Sequence, residues 1–313
     1  MLNTLKRLTL SASVVTVSAI VAAPSFAGSL TNPSVSGVAG TDYYIYQQSG
    51  SKTVLQNSAP LSTVLQGDAG NPGGNVELFA NSETANYKTL SAFKNNITPS
   101  SLTGQILGTP IVLSSLTYAD WFNTSSGDST EYGAANLATT WFRANLVANG
   151  YGDLFTSSLG QSIAALAYNT FLANAGFQRF SDPNISYINQ DSPNSVVKIG
   201  LAGHYNATSL LTAALGPQLA AGISQYRDQG KANSPIQMSE VVKVAYGGKT
   251  SYLYSFQAAP SGLTAGDDGI SHNGNYEMTL PPGTEPVPEP MTMLGMVLGV
   301  SSLVATKRKP KNA

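Results

Sequence analysis

The sequence predicts an α+β fold with a mainly antiparallel sheet, a central group of helices and a single C-terminal transmembrane helix. Apolar residues recur at helical spacing in the middle of the chain, and alternating runs joined by turn residues flank that region. The strand–helix–strand rhythm of a parallel doubly wound sheet is missing. With 313 residues, the chain is long enough to bury a substantial core in one or two domains.

The first 27 residues have the three parts of a secretory signal peptide. Lys6 and Arg7 give a positive start, the stretch 8–23 is small and apolar, and small residues precede the expected cut. We expect signal peptidase to cleave between Ala27 and Gly28. A buried N-terminal helix is the alternative, and it would leave both the charges and the small residues unexplained.

The secreted body spans residues 28–280 and divides by pattern into a β-rich part, 28–130, and an α+β part, 131–280. In the first part the segment 105–116 is apolar and β-branched. Pro110 has no amide hydrogen to donate to a ladder, so it confines a strand here to a sheet edge or splits the strand in two.

Three helical regions are predicted in the middle of the chain. The first carries an apolar stripe of Leu137, Trp141, Ala144 and Ala148, widened by Phe142 and Leu146. The second has its apolar face at Phe155, Leu159, Ile163, Leu166 and Thr170. Gly176 stands where the glycine that ends this second helix is expected. The third begins at the N-cap Asn206 and breaks at Gly216, after which Pro217 opens a new helix.

Two antiparallel hairpins are predicted around these helices. The runs 185–189 and 195–201 flank a turn-rich stretch at 190–194. A second pair of alternating runs lies on the two sides of Gly247-Gly248: Val242, Val244 and Tyr246 before it, and Tyr252, Tyr254 and Phe256 after it. Two glycines between alternating runs are typical of a two-residue hairpin turn.

The C-terminal region combines a linker, an apolar run and a basic tip. The linker 281–290 contains five prolines and should be stiff and extended. The uncharged run 291–306 would span about 24 Å as a helix, enough to cross a membrane if flanking lysines snorkel. The tip 307–313 should remain in the cytoplasm, because it supplies the positive charges that stop transfer. These charges are Lys307, Arg308, Lys309 and Lys311. A buried amphipathic helix is the alternative, but the run has no charged face.

This order of parts resembles the PEP-CTERM sorting signal of Gram-negative bacteria and cyanobacteria. The resemblance covers residues 287–311 and begins at the motif Val287, Pro288, Glu289 and Pro290. One departure is Met291, where Ser or Thr is frequent in the family. The resemblance implies processing near the motif by an exosortase, an integral-membrane cysteine protease or transpeptidase. It also implies a link to extracellular polysaccharide and biofilm formation.

The body adds a second resemblance. Two stretches are similar to ectodomains of cyanobacterial PEP-CTERM proteins that have no assigned activity. They are RFSDPNISYINQD with VVKIGLAGHYN, within 179–206, and GDDGISHNGNYE, at 266–277. This resemblance implies a surface protein of unknown role. The sorting signal implies a protein held transiently at the inner membrane and then placed at the cell surface, in the outer envelope or outside the cell.

The composition of the chain excludes several kinds of site and partner. The chain has no cysteine, which excludes disulfides, a thiolate nucleophile and a cysteine-bound metal. All seventeen acidic residues but only ten of the sixteen basic ones lie between residues 28 and 290, giving that region a formal charge of −7. So acidic a body argues against nucleic acid as a partner and against charge-driven docking on an anionic membrane.

No catalytic residue is predicted. The two histidines, His204 and His272, belong to no metal-ligand spacing, and no G-x-S-x-G nucleophile motif is present. We expect His204 to end a strand and His272 to lie in a loop. The acidic residues with no informative spacing for a glycosidase pair include Glu77, Glu83, Asp120, Asp128 and Glu131.

Calcium is the only candidate cofactor. The segment 266–277 carries five hard oxygen donors in a Gly-rich stretch, as Ca²⁺ prefers, although their spacing is not that of an EF-hand. The donors are Asp267, Asp268, Asn273, Asn275 and Glu277. The alternative is that these residues serve turn geometry alone.

The aromatic residues of the second predicted hairpin allow two interpretations, sugar binding or core packing. Tyr252 and Tyr254 share one face of the predicted hairpin, which could stack on sugar rings or pack into the core. Trp121 and Trp141 are expected in the core.

Three functional hypotheses follow: a sorted surface or matrix protein with a structural or binding role, a secreted enzyme acting on polysaccharide or another envelope polymer, and a carbohydrate-binding adhesin. An enzyme should have a cleft on which carboxylates or a histidine converge. The most informative observation would be whether His204 meets the segment 266–277.

Overall fold

The computed structural model describes residues 28–79, 82, 84, 88–95, 99–233 and 235–282. The predicted signal peptide, sorting motif, transmembrane segment and basic tip all lie outside these residues. Within the described ranges, no helix combines the length and the apolar character needed to cross a membrane. The prediction of an α+β fold with mostly antiparallel sheets is confirmed.

The described strands and helices are the following, in chain order. The strands are β1 Gly28–Ser29, β2 Thr31–Val35, β3 Tyr43–Ser49, β4 Lys52–Leu55, β5 Gly67–Asp68, β6 Asn71–Pro72, β7 Gly74–Leu78, β8 Ser101–Ile106, β9 Thr109–Ser114, β10 Asn123–Thr124, β11 Gly127–Asp128, β12 Asn184–Gln190, β13 Val197–Gly203, β14 Val242–Tyr246, β15 Lys249–Leu253, β16 Ala259–Pro260, β17 Thr264–Ala265 and β18 Gly274–Leu280. The helices are α1 Leu61–Val64, α2 Leu90–Asn95, α3 Tyr118–Phe122, α4 Leu137–Ala148, α5 Ser158–Ala173, α6 Gly176–Arg179 and α7 Thr208–Asp228, with a 3₁₀ turn at Gly152–Phe155.

Two large sheets organise the described strands. The nine-stranded sheet has the order β16-β18-β13-β12-β7-β3-β4-β17, with β1 paired to β12. The five-stranded sheet has the order β15-β14-β9-β8-β2. Among the pairings of these strands only β17 with β4 is parallel. Both sheets contain strands from both sides of residue 130, so the β-rich and α+β parts of the sequence are interleaved in space.

The two sheets face each other across an apolar core and form a sandwich. The larger sheet contributes inward-facing residues such as Val76, Ile199 and Tyr276, and the smaller sheet contributes Leu113 and Val244. Because side chains alternate along a strand, the residues between these positions point to the other face of the larger sheet. That other face is polar, and it forms one wall of the cleft described below.

A second core is built by the helices and their loops. Trp121 of α3, Trp141 of α4 and Phe177 of α6 are fully buried and meet at ring-centroid distances of 5.1–6.2 Å. The expectation that both tryptophans belong to the core is confirmed. The ring of Tyr168 in α5 also packs on Phe177, at 5.3 Å. The helices therefore form a compact layer with its own aromatic centre.

Polar contacts tie the helical layer to the sandwich. Asp120 of α3 accepts hydrogen bonds from the ammonium of Lys243 on β14 and from the hydroxyl of Tyr252 on β15, both at 2.7 Å. The hydroxyl of Tyr276 on β18 donates to the His204 carbonyl oxygen at 2.7 Å and accepts from the Met238 amide at 3.0 Å. These bonds fix how the two layers sit against each other.

The predicted helices are present, with two corrections in α5. Its predicted apolar face is wrong, because Leu159 and Leu166 are 73% and 56% exposed whereas Ala164 and Phe171 are fully buried. Its end is also wrong. Ala175, with φ of 58°, takes the left-handed conformation expected of a glycine, and Gly176 already begins α6. The break in α7 at Gly216, with φ of 75°, is confirmed. The stripe of α4 is confirmed only in part, because Trp141 is buried whereas Ala148 is exposed. Helix α7 begins one residue later than predicted, with Ala207 at the N-cap, although the side-chain oxygen of Asn206 accepts from the Thr208 amide at 3.1 Å.

The two predicted hairpins are confirmed, except that β15 ends at Leu253, so Tyr254 and Phe256 lie beyond the strand predicted to contain them. β12 pairs with β13, and β14 pairs with β15 around Gly247 and Gly248, whose φ values of 57° and 79° suit a two-residue turn. The segment 105–116 is divided into two strands, but the break is not at Pro110 as predicted: β8 and β9 form a hairpin that turns at Leu107 and Gly108. Pro110 lies near the start of β9, beyond the stretch that pairs with β14.

Candidate functional site

A cleft of about 400 Å³ opens where the polar face of the nine-stranded sheet meets the helical layer. Its third side is the loop between β17 and β18, residues 266–273, hereafter the cleft loop. Its size falls in the range of small-molecule sites. The cleft is lined by both histidines, by Arg179, and by the carboxylates of Glu77, Asp182, Glu240, Asp267 and Asp268.

Neighbouring strands bring one group of these carboxylates together. Glu77 on β7 lies directly opposite Asn184 at the start of β12, so the two side chains share a face of the sheet. Glu240, just before β14, accepts from the Asn184 backbone amide at 2.9 Å and from its side-chain amide at 3.4 Å. Asp182, just before β12, accepts from the hydroxyl of Ser82 at 2.5 Å.

The cleft loop meets His204 at the opposite side of the cleft. His204 directly follows β13, and the backbone amide of the next residue, Tyr205, donates to the Asn273 side-chain oxygen at 2.7 Å. Because β18 continues from the loop and pairs along β13, the loop is held beside the end of that strand. His204 and the segment 266–277 therefore do approach one another.

His272 is the most constrained residue of the cleft. It is 7% exposed and has a φ of 60°, which non-glycine residues rarely adopt. Its Nδ1 lies 2.7 Å from the Thr53 hydroxyl oxygen, and its ring meets Tyr46 edge-on at 4.8 Å. Thr53 is only 1% exposed, so its hydroxyl orients the imidazole and is not accessible as a nucleophile for a polymer.

Burial keeps both histidines neutral near pH 7. It lowers the pKa of His272 to about 4, although Asp267 and Asp268 act in the opposite direction. Burial also lowers the pKa of His204, and Asp268 opposes that shift. A neutral imidazole can accept a proton, so His272 has the chemistry of a general base if a substrate reaches it, whereas its low pKa leaves almost no imidazolium at pH 7 to act as an acid.

The cleft loop is a turn held by its own side chains. Burial would raise the pKa of Asp268, but hydrogen bonds from the Ser271 hydroxyl and from the amides of Ile270 and Ser271 lower it overall. The side-chain oxygen of Asp267 accepts from the next amide at 2.9 Å. These contacts match the turn interpretation of this stretch.

The five candidate calcium donors do not converge. Asp267 and Asp268 bind the loop itself, and Asn273 binds the Tyr205 amide. Asn275 accepts from the Ser186 hydroxyl and Glu277 from the Tyr187 hydroxyl, both on β12, two strands away across β13. In the described part of the chain no three histidine or acidic side chains are grouped to hold a metal ion.

Comparisons with protein-family models, with curated proteins and with solved structures find no match for this chain. The function is therefore argued from the cleft and from the terminal segments.

The sequence alone did not single out most of the cleft. Glu77 is a carboxylate without informative spacing in the sequence, and Asp182, Glu240 and Arg179 belong to no sequence motif. They meet because β7 lies beside β12 and the 238–240 segment crosses the end of β12. A local signal did exist at Asp182-Pro183-Asn184, a turn-forming triplet directly before a buried strand.

The aromatic pair proposed for sugar stacking is placed elsewhere. Tyr252 and Tyr254 pack against the helical core, and the hydroxyl of Tyr252 is bound to Asp120. This matches the packing alternative. The aromatic rings that line the cleft are those of Tyr46 and Phe180.

Proposed function

We propose that this chain is an exported, exosortase-sorted protein of the cell surface or extracellular matrix, and that its body binds carbohydrate in the acidic cleft. The terminal segments support the location: a secretory leader at one end, and the PEP motif, apolar segment 291–306 and basic tip at the other. In this proposal the apolar segment crosses the inner membrane until an exosortase acts near Pro288-Glu289-Pro290.

The observation that supports a binding role is the convergence of His204, His272 and the cleft loop on one cleft. A protein with a purely structural role needs no such concavity, whereas a ligand site needs a cleft with a few directed polar groups. Carboxylates accept hydrogen bonds from sugar hydroxyls, and five carboxylates line the cleft.

Removal of residues 287–313 tests the sorting. We expect the truncated protein to be released freely from cells, while the full chain is retained in the envelope, as measured by fractionation and immunoblotting. A control in which only the PEP motif is replaced by alanines separates membrane retention from processing. Identical fractionation of the truncated and full-length proteins would contradict the sorting proposal.

A variant that fills the cleft tests the binding. Leu210 lies on α7 and lines the cleft, so Leu210→Trp should occupy the space and abolish binding on a glycan array. Ser224→Trp places the same side chain on the exposed surface of α7 and should leave binding intact. Equal binding by the two variants would place any carbohydrate site outside the cleft.

A second candidate is a secreted enzyme acting on polysaccharide or another envelope polymer. The specific observation that favours it is a cleft lined by carboxylates and a neutral His272, since polymer hydrolysis uses paired carboxylates as acid and base and a neutral imidazole can accept a proton. Release of new reducing ends from envelope polysaccharide by the wild-type protein, lost in Leu210→Trp, would favour this candidate over binding alone.

A further inference from the structure

Helix α5 presents an apolar stripe on the surface of the helical layer. Leu159, Ile163 and Leu166 are 73%, 39% and 56% exposed, while the opposite side of the same helix is buried. A large aliphatic side chain lowers its free energy by leaving water, and contiguous exposed apolar residues mark interaction sites. The stripe is separate from the cleft, since none of these three residues lines it.

The spacing of the stripe is that of a coiled-coil seam. Leu159, Ile163 and Leu166 are separated by four and then three residues, and two further steps of the same alternation reach Thr170 and Ala173. In heptad terms, Ile163 occupies an a position between two leucines at d positions. A second helix packs on such a row by placing its own side chains between these residues.

The stripe is complementary to itself when two copies of α5 run antiparallel. A two-fold axis halfway between Ile163 and Leu166 places each of them opposite the other in the second copy. The same axis places Leu159 opposite Thr170, because these two residues lie equally far from it along the helix. One register therefore pairs every a position of the stripe with a d position.

The charge distribution favours this face for contact between two copies. The region 28–290 has a formal charge of −7, so two copies repel each other over much of their surface. Helix α5 contains no Asp, Glu, Lys or Arg, and the exposed polar residues beside the stripe, Ser162 and Asn169, are neutral. Helices that lie on lipid usually carry Lys or Arg on their polar face, so a membrane fits this helix less well than a second copy.

We infer that α5 is a dimerisation surface, on which a second copy of this chain packs its own α5 in antiparallel orientation. The sixteen residues of α5 form a helix about 24 Å long and about 10 Å wide. This strip is well below the roughly 800 Å² that each partner buries in a stable complex. The dimer should therefore be weak and reversible, with a Kd of about 100 μM.

Disulfide cross-linking tests the register directly, because the chain has no cysteine of its own. Ile163→Cys and Leu166→Cys are placed in separate full-length chains with different tags, expressed together and oxidised mildly. Helix axes 8–10 Å apart bring facing Cα atoms to about 4–6 Å, within reach of a disulfide.

The mixed disulfide between the two tags is measured on a non-reducing gel. We expect at least about fivefold more of it than from Ile163→Cys expressed with Leu55→Cys, because the contact raises the effective concentration of the facing thiols. Leu55 is an exposed residue of β4, so this control accounts for any crowding of full-length chains through their termini.

A charge placed in the stripe tests the same surface in solution. In Leu166→Glu a carboxylate would have to leave water without a partner, so the dimer should weaken at least about tenfold in sedimentation equilibrium of the exported protein. Leu55→Glu is the matched control, since Leu55 is 54% exposed and Leu166 56%, and it should sediment like the wild type. Thermal melting verifies that both variants are folded.

Three results would overturn the inference. Mixed disulfide no more abundant than in the Leu55→Cys control, together with unchanged sedimentation of Leu166→Glu, would show that α5 does not meet its own copy. A higher disulfide yield from Ile163→Cys alone than from the mixed pair would contradict the antiparallel orientation. Labelling of Ile163→Cys and Leu166→Cys by a thiol reagent confined to the lipid phase, without disulfide formation, would identify a membrane as the occupant of this face.

Discussion

At the scale of single residues, His272 links the fold to the cleft. Its ring is bound to Thr53 of β4 and packed on Tyr46 of β3, so it fastens the cleft loop to the far side of the nine-stranded sheet. The residue also adopts a positive φ, a strain of about 1 kcal/mol or more that the surrounding contacts must offset. Such strain in a cleft is typical of functional positions.

The low pKa of His272 predicts a pH-dependent stability. In the unfolded chain the His272 imidazole has a pKa of about 6.5 and binds a proton below that pH. In the folded protein the same ring stays neutral until the pH falls to about 4. The free energy of unfolding should therefore fall by about 3 kcal/mol as pH drops from 6.5 to 4. Urea titrations at a series of pH values measure this loss.

His272→Asn supplies the comparison for this prediction. Asparagine can still hydrogen-bond Thr53 and tolerates a positive φ, but it does not titrate. Its stability should depend less steeply on pH in the same window, and the slope contributed by His204 is common to both proteins. Parallel profiles for the wild type and His272→Asn would show that the ring is not buried in its neutral form.

At the scale of elements, α5 shows how local pattern and packing can disagree. Leucines and isoleucine recur at helical spacing on one side, yet the small residues Gly160, Ala164 and Ala167 form the buried side. Gly160 is required there, because a Cβ at this position would lie 2.3 Å from the Leu154 carbonyl oxygen. The helix packs through the close approach at Gly160 and through Tyr168 and Phe171, whereas Leu159, Ile163 and Leu166 are exposed.

Two substitutions on opposite faces of α5 test this assignment. Leu159→Ser changes an exposed side chain and should alter the free energy of unfolding by less than about 0.5 kcal/mol. Ala164→Leu inserts three carbons into a fully buried position and should cost about 1–3 kcal/mol. Denaturant unfolding measures both, and a larger loss from Leu159→Ser than from Ala164→Leu would restore the face that the sequence pattern favoured.

At the scale of the whole molecule, the cleft lies between two cores. One core packs between the two sheets of the sandwich, and the other, aromatic core packs between the helices. Tyr276 connects them: its ring belongs to the sandwich core, and its hydroxyl is hydrogen-bonded to the His204 carbonyl oxygen and to the amide of Met238, a residue of the helical core. A ligand site at such a junction depends on both cores being folded. The two layers should therefore unfold together.

A substitution in one core tests this coupling. Ile199→Ala removes a fully buried side chain from the sandwich and should cost about 2–5 kcal/mol. Both tryptophans lie in the helical core, so their fluorescence reports the other layer. We expect the fluorescence midpoint and the far-ultraviolet circular dichroism midpoint to shift by the same amount. Leu55→Ala, at an exposed site on β4, is the control.

Separate transitions for the two signals would contradict this coupling. A shift confined to the circular dichroism signal would mean that the helical layer remains folded when the sandwich opens. The sequence pattern had allowed such independence, because it permitted a division near residue 130. The shared sheets argue against it, since each contains strands from both sides of that position.

Features set by near neighbours could be predicted from the sequence. The break at Gly216-Pro217 follows from the proline ring, and the turn at Gly247-Gly248 follows from two residues that accept positive φ. The start of α7 is local in the same way, because the side-chain oxygen of Asn206 accepts from the Thr208 amide two residues later. These local effects involve residues that are only a few positions apart, so they can be recognised in a single sequence.

The sequence by itself determined the α+β class, the hairpins and the core positions of both tryptophans, and it supplies the terminal segments on which the proposed location rests. Only the tertiary structure decided which face of α5 is buried and which carboxylates share a cleft. Those features depend on strand order, here β13-β12-β7-β3, which brings Glu77 to Asn184 across more than a hundred residues. Strand order is fixed by the packing of the entire molecule, and no local pattern encodes it.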